Sequence, residues 1–574
     1  MNTFTWGPDG WLYGCHGVFT HSNVGKPGAP KNERTPMTAG VWRYHPTRHI
    51  FERFSEGTSN PWGADFDEHG QCIIEACVIP HLWHMIQGGR YQRQGGQHEE
   101  PYTFDDIKTI ADHLHYRGNQ WDDSDRLSSR SLGGGHAHAG LMVYLGGSWP
   151  EQYRGQFFMN NIHGACINLD YPERQGSGFV GHHNPDFISF NDSWSQIINL
   201  QYDQNGSMYM IDWYDKNQCH STRMDAADRS NGRIFKITYG GTKWTPVDLE
   251  KLSDNELIKL LSNQNEWYAR HARRALQERG PNPKVHESLL KILNGGADGT
   301  VKLRALWTLH VTGGLTEKIA LAQLKNRDEY IRAWSIQFLA ENKNVSPGGL
   351  REFIRMARED KSPVVRLYLA SALQRVPAEH RWDTVTALDS HAEDAKDHNL
   401  PLMYWYAAEP LAALDVDRAL KLAESSKIPR MLHFTARRVA TIGTPAAFIA
   451  VIESFGRASD DSRRLDILRG LGLALQGQRH AAMPAGWNDV EAKLNTLASA
   501  EIRAQVQSLS LIFGSGNALT ALRKTLSDES ADASARRTAM DSLLAAHDPN
   551  LAPLLQAVLD NRELQGPALR GLAA

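Results

Sequence analysis

The feature that most limits what this 574-residue chain can fold into is a change of character near residue 243. All five cysteines (Cys15, Cys72, Cys77, Cys166 and Cys219) lie before residue 240, together with 16 of the 25 histidines and 9 of the 16 tryptophans. Beyond that point the text is rich in Ala, Leu, Arg and Glu and holds no cysteine. Two domains of different architecture are expected, at 1–242 and 243–574.

The first domain reads as short strands separated by turn phrases. Trp6-Gly7-Pro8-Asp9-Gly10-Trp11 leads into an aromatic strand, and the same grammar returns at Asp67-Glu68-His69-Gly70 and at Asp203-Gln204-Asn205-Gly206. Gly10 and Gly70 stand 60 residues apart, and Gly206 follows after roughly twice that interval. A four-stranded unit that recurs at this spacing points to the blades of a β-propeller. A β-sandwich fits poorly, because the phrase recurs at blade-like rather than strand-like distance. The text holds about three and a half blades, fewer than the roughly 4–8 that close a ring. The expectation is therefore a partial, N-terminally incomplete propeller with upstream blades missing.

From Asp248 the apolar period becomes 3.6. Leu276, Leu309, Leu339 and Leu373 close successive helical phrases at steps of 33, 30 and 34 residues. That is close to the helix-pair repeats that stack into an α-solenoid of HEAT-like units. The basic residue in each phrase, such as Arg304 or Arg332, reads as solvated or paired between repeats. The aromatic phrase Met403-Tyr404-Trp405-Tyr406 interrupts the repeat as core filling or as a partner surface. The domain offers no nucleophile–base pair, so packing and protein contacts are its expected work.

Several classes are excluded. The net charge of −3, with basic residues spread along the chain, leaves no electrostatic footprint for nucleic acid. No window approaches the roughly 18 apolar residues of a membrane span, and the first residues lack the basic and apolar regions of a signal peptide. Five cysteines at irregular spacing do not make a disulfide framework, and no Cys-x-x-Cys-His for haem attachment occurs.

The chemistry-bearing residues fall between the strand phrases. Gly133-Gly134-Gly135-His136-Ala137-His138-Ala139-Gly140 is the densest stretch. If it enters a strand, His136 and His138 share one face and can reach one metal ion, or one can act as a base beside the other. The plainer reading is a loop whose histidines bond neighbouring backbone. His81, His84, His113, His115, His163, Trp194, Asp212, Asp215, Cys219-His220, Arg229 and Arg233 sit on comparable loops. In a propeller such loops converge at the mouth of the channel. Imidazoles with carboxylates there bind a metal, or supply a general base with Arg as an anion clamp. The spacings match no closed zinc pattern, so the metal's identity stays open.

The phrases WGPDGWLYGCHGVFTHSNVGKPG, NPWGADFDEHG, CVIPHLWH, GGGHAHAGLMVYLGGSWP, NNIHG and DWYDKNQCH, followed by DRSNGRIFKITYG, cover most of residues 2–240. They resemble the planctomycete-type membrane-bound dehydrogenase propeller family, which is distantly similar to the quinoprotein glucose/sorbosone dehydrogenases. The resemblance implies an oxidoreductase that takes a hydride from a sugar or alcohol to a quinone such as pyrroloquinoline quinone, beside a calcium ion. On that reading His138 or His136 is the base, with His163 behind them. Arg229, Arg233 and Trp194 hold the cofactor, and Asp212, Asp215, His81 and His84 serve the metal. It also implies a periplasmic or cell-envelope location and a c-type cytochrome module as electron acceptor, which this chain does not contain. Two other classes stay open: a non-catalytic glycan- or protein-binding scaffold, and a metal-dependent carbohydrate hydrolase or lyase.

Overall fold

The computed structural model describes residues 1–573 apart from 78–79, 116–136, 193, 216–227, 229, 479 and 498. Its first half is built of sheets and its second of helices. The strands are β1 (Asn2–Trp6), β2 (Leu12–His16), β3 (Ser22–Val24), β4 (Thr35–Met37), β5 (Gly40–His45) and β6 (Ile50–Thr58). They continue with β7 (Asn60–Phe66), β8 (Cys72–Cys77), β9 (Leu82–Met85), β10 (Arg90–Arg93), β11 (His138–Val143) and β12 (Phe157–Asn161). The last are β13 (Cys166–Gln175), β14 (Gly178–Ser189), β15 (Ile197–Tyr202), β16 (Met208–Asp212) and β17 (Arg233–Ile237).

Four sheets follow one another in up-and-down order: β1-β2-β5-β6, with β10 added in parallel beside β6, then β7-β8-β9, β11-β12-β13-β14 and β15-β16-β17. This is the succession of propeller blades. The recurring turn phrase is one structure used three times. The N–H of Gly7, Asp67 and Asp203 bonds the carbonyl of the residue four places on, and the N–H of Gly10, Gly70 and Gly206 bonds back three. Each of those glycines has φ between 74° and 79°, a region that favours residues without a Cβ. Neighbouring sheets approach backbone to backbone. A Cβ on Gly63 would lie 2.0 Å from the amide nitrogen of Leu141, and one on Gly140 would lie 2.7 Å from Cα of Asn199.

The helical half keeps the repeat read from the leucines. Helices Glu266–Arg279, Gly299–Val311, Glu329–Leu339 and Pro363–Leu373 begin at steps of 33, 30 and 34 residues. Each is opened by a side-chain cap, from Asn265, Asp298, Asp328 and Ser362. The basic residues of the repeat phrase pair between repeats. Arg304 binds Glu266 and donates to the carbonyl of Leu261 at 2.8 Å, and Arg332 meets Asp360 at 2.7 Å.

The packing does not divide where the secondary structure changes. Met1–Leu388 with Lys396–Ala407 forms one compact unit, and Asp389–Ala395 with Ala408–Ala574 forms the other. The second unit is helical, closing on a core of Leu522, Leu526, Met540, Leu543 and Leu564. In the first unit the blade turns seat on the helices: Gly10 abuts Gln277 and Val311, while Gly70 abuts Trp307 and Trp334. The fully buried Arg43 joins the two kinds of structure. Its guanidinium meets Asp9 at 3.1 Å and Glu52 at 2.8 Å within the first sheet, and Glu341 at 3.2 Å from the helices. It also lies 4.0 Å above the Trp11 ring, whose Nε1–H donates to Glu341 at 2.7 Å.

Replacing Arg43 by Met leaves Asp9 buried without its cation and strips Glu341 to its second partner, Arg48 at 3.0 Å. A loss of about 3–5 kcal/mol is expected for such a broken network. Urea unfolding of the full chain measures it, and a loss below about 1 kcal/mol would contradict this account.

Candidate metal centre

The densest group of donors lies where the second and third sheets meet. The residues after β10 thread between them: the Ile110 amide bonds the Leu82 carbonyl at 3.1 Å, and the Gly181 amide bonds the Ile110 carbonyl at 2.8 Å. The Asp112 amide continues the thread to the Gly181 carbonyl at 3.2 Å. Gly181 has no room for a side chain, since a Cβ there would lie 2.4 Å from Leu82. The thread delivers His113 and His115. His81 arrives on the link between β8 and β9, His138 opens β11, and Asp170 on β13 stands opposite His183 on β14.

Four of these side chains offer ligand atoms that all lie within 4.8 Å of one another: His81, His113, His115 and Asp170. Nε2 of His113 and Nε2 of His115 are 3.1 Å apart, and they lie 3.3 and 3.7 Å from Oδ1 of Asp170. Nε2 of His81 is 3.0 Å from Oδ2 of the same carboxylate. Tetrahedral ligands bound at about 2.0–2.2 Å lie roughly 3.3–3.6 Å from each other, a range that the three separations among His113, His115 and Oδ1 bracket. Nδ1 of His183 is 3.6 Å from Asp170 Oδ1 and completes the surround. Among the described residues Asp170 Oδ1 has no well-aligned hydrogen bond, despite three imidazole nitrogens around it. A buried carboxylate oxygen in that position asks for a cation.

The electrostatics agree with the geometry. Burial raises the Asp170 carboxyl, but the surrounding imidazoles of His113, His115, His183 and His81 outweigh it and hold the group well below the ordinary range. Burial pulls His115 down to about 3, with His81 adding to the effect. It also takes His138 well below its ordinary value, helped by His115 and His81, and it lowers His81 against the pull of Asp170. His113 goes the other way: burial lowers it, but the carboxylates of Asp170 and Asp112 outweigh that and raise it above its ordinary value, so it must release a proton to join the charged Asp170 and the neutral His81 and His115 as a metal ligand. The donor set is nitrogen-rich and suits zinc, copper, iron or nickel. Calcium takes oxygen ligands and does not fit it.

The residues singled out from the sequence fall into three places. His81 is a member of the cluster, and His138 touches it through a 2.7 Å bond from Nε2 to Nδ1 of His115. His84 is buried but turned elsewhere, bonded to Gln71 at 3.1 Å and set edge-on to Phe179. His163 lies half-buried in the turn between β12 and β13. Asp212, Asp215, Arg233 and Trp194 gather at the end of the last sheet. There Asp212 accepts from Ser195, from the amides of Gln196 and Tyr214, and from Arg233. Those bonds occupy the carboxylate, and they hold Arg233, whose guanidinium lies 3.8 Å above the Tyr214 ring. Asp215 accepts from the Asp228 amide at 2.7 Å, and the Trp194 ring stands 5.7 Å from that of Tyr214. Among the described residues, Asp212, Asp215 and His84 do not join the donor cluster. His136 and Arg229 lie outside the described residues.

Asp170 and His183 carry no signal in the sequence that marks them as ligands. His113 and His115 do, because their i, i+2 spacing is the one that drew attention to His136 and His138.

The comparisons with known proteins add little to this geometry. Residues 1–241 match a family model described as a domain of unknown function, DUF7133. No curated protein matches the chain. A solved structure from Thermus thermophilus, provisionally named an oxidoreductase (glucose dehydrogenase), is 15% identical over 41% of this chain, with a TM-score of 0.26. The match spans 64% of that protein's length. YibA of Escherichia coli is 15% identical over 57% of this chain and 94% of its own, with a TM-score of 0.23. Likeness at that level assigns no site.

His84 provides a test of the buried environment. Burial, then His398 and Arg174, holds it at about 3, against 6.5 in an unfolded chain. Between those values the unfolded state binds a proton that the folded state refuses, so stability falls as the pH drops below about 6.5. The slope for one such group approaches about 1.4 kcal/mol per pH unit. The variant H84Q is expected to lose stability more gently between pH 6 and 4, by urea midpoints in buffers across that range. Parallel curves would refute the assignment.

Proposed function

We propose that this protein is a metal-dependent oxidoreductase whose β domain holds one transition-metal ion between His81, His113, His115 and Asp170. The observation that carries the metal is the convergence of His113, His115 and His183 on a buried oxygen of Asp170 that no well-aligned hydrogen bond satisfies among the described residues, with His81 at the other oxygen. Three neutral imidazoles and one carboxylate leave a divalent ion with a net charge of about +1, a compact site for a change of oxidation state. The oxidoreductase class is supported by the resemblance of the phrases across residues 2–240 to dehydrogenase propellers. A sugar or alcohol substrate, an envelope location and a cytochrome c acceptor belong to the same reading. His138, bonded to His115, is placed to orient a ligand ring. The quinone and calcium fit less well: Arg233 is committed to Asp212, and the imidazole cluster does not suit calcium.

The side chains of His115 and Asp170 are 0% exposed and that of His81 3%, and closed sites of this kind are structural. The ion would then staple the second and third sheets together.

Metal analysis of the purified full chain, followed by dye reduction with sugars and alcohols before and after chelation, tests both. About one copper, iron or nickel ion per chain with metal-dependent dye reduction is expected, the ion taking the electrons from the substrate and passing them to the dye. Metal without dye reduction, and with a lower melting temperature after chelation, would select the staple. No bound metal, and no uptake by the apoprotein, would overturn the centre.

A further inference from the structure

We propose that Asp112 is the positioning residue of this centre, a carboxylate outside the ligand set that fixes the His113 ring for metal binding. The inference rests on the metal reading above and concerns which residue makes the site tight. Asp112 spends both oxygens on imidazoles. Oδ1 faces Nδ1 of His113 at 2.9 Å, and Oδ2 faces Nδ1 of His182 at 2.6 Å. His182 is held from its other side, where Nε2 meets Oε2 of Glu173 at 2.9 Å. Glu173 and His182 stand on the paired strands β13 and β14, the same hairpin that carries Asp170 and His183. The backbone of Asp112 is fixed independently by its bond to Gly181. The carboxylate is therefore anchored at its own main chain and at one of its two oxygens before it touches His113.

That anchoring has a chemical consequence. An imidazole whose Nδ1–H is donated to a carboxylate presents the Nε2 lone pair, and the carboxylate makes that nitrogen a stronger donor. Nε2 of His113 points at the other ligands, 3.1 Å from His115 and 3.3 Å from Asp170. His115 is supported differently, by the neutral ring of His138 at 2.7 Å. The two ligand rings of the thread thus have unlike backing, one anionic and one neutral. The anionic one is the stronger support, and its Asp112 side chain is 46% exposed. Substitution there disturbs the ligand ring without opening the core.

The test uses the full chain, stripped with a chelator and titrated with Co²⁺ against a chromophoric competitor. The variant D112N is expected to bind Co²⁺ tenfold to a hundredfold more weakly than the parent, the usual cost of losing such a partner. Its visible Co²⁺ spectrum is expected to change, while the apoprotein melts within a degree or two of the parent. H182Q, which loosens Asp112 without removing it, is expected to weaken binding by a smaller factor, and D112E to recover part of the loss. Equal Co²⁺ affinity and identical spectra for parent, D112N and H182Q would overturn the role of Asp112 and leave the centre standing. A parent chain that binds no Co²⁺ would overturn the centre itself. Should D112N fail to fold, the affinity of H182Q decides: equal to the parent's, it refutes the proposal.

Discussion

The arrangement of the β domain turns on one buried carboxylate. Asp170 is completely enclosed, and a carboxylate taken out of water costs several kcal/mol unless charge or hydrogen bonds replace its hydration. The replacements come from three separate parts of the chain: His81 on the β8–β9 link, His113 and His115 on the thread after β10, and His183 on strand β14. Rings stack to make room for one another, with the centroids of His81 and His115 4.0 Å apart and nearly parallel. So many imidazoles around one acid are more than its own charge needs. The excess of neutral nitrogen donors is what separates this group from an ordinary buried salt bridge.

The β domain does not hold the thread that carries His113 and His115 by itself. Helical residues of the same compact unit pin it as well. The Trp405 indole donates to the carbonyl of Tyr102 at 2.9 Å, and the Tyr406 hydroxyl donates to that of Asp105 at 2.8 Å. His398 meets the Lys108 carbonyl at 3.0 Å. The tip of the β13–β14 hairpin is tied down too, through Ser177 and Asp397 at 2.6 Å. The aromatic phrase that breaks the helical repeat therefore has a definite task. Its rings are buried core, and they fix the backbone that leads to the ligands. With the Arg43 network at the other edge, this explains why the compact unit runs past residue 243 into the repeats.

How far this was legible in the sequence follows from the range of the interactions. The turn phrases are local, and Gly10, Gly70 and Gly206 were readable as turns because each bonds within five residues. The helical repeat was readable because its period is printed in Leu276, Leu309, Leu339 and Leu373. The candidate centre is nonlocal. Asp170 is separated by 89 residues from the His81 that bonds it, and no spacing rule joins them. His81 was singled out for a metal and belongs to the cluster, whereas Asp212 stood out for the same reason and is a hydrogen-bond hub that ties down the end of a sheet. Both are aspartate or histidine beside a strand end. Only the partners distinguish them, and the partners are set by how sheets pack.

The close approach of backbones explains why the histidines meet at all. Gly63, Gly140 and Gly181 each sit where a side chain would collide with the next sheet or thread. Removing Cβ at Gly63 and Gly181 lets the second and third sheets come near enough for residues on both to reach one carboxylate, and at Gly140 it lets the fourth sheet close on the third. Glu75 marks the same boundary from inside, accepting at 3.1 Å from the amides of both Trp62 and Gly140 while burial holds its carboxyl well above the ordinary range. Two buried carboxyls thus stand at one junction in opposite states. Among the described residues Glu75 meets two amides and no cation, and burial favours its neutral form. Asp170 meets imidazoles on several sides, and the anion is favoured, so the junction keeps its negative charge where the nitrogen donors are.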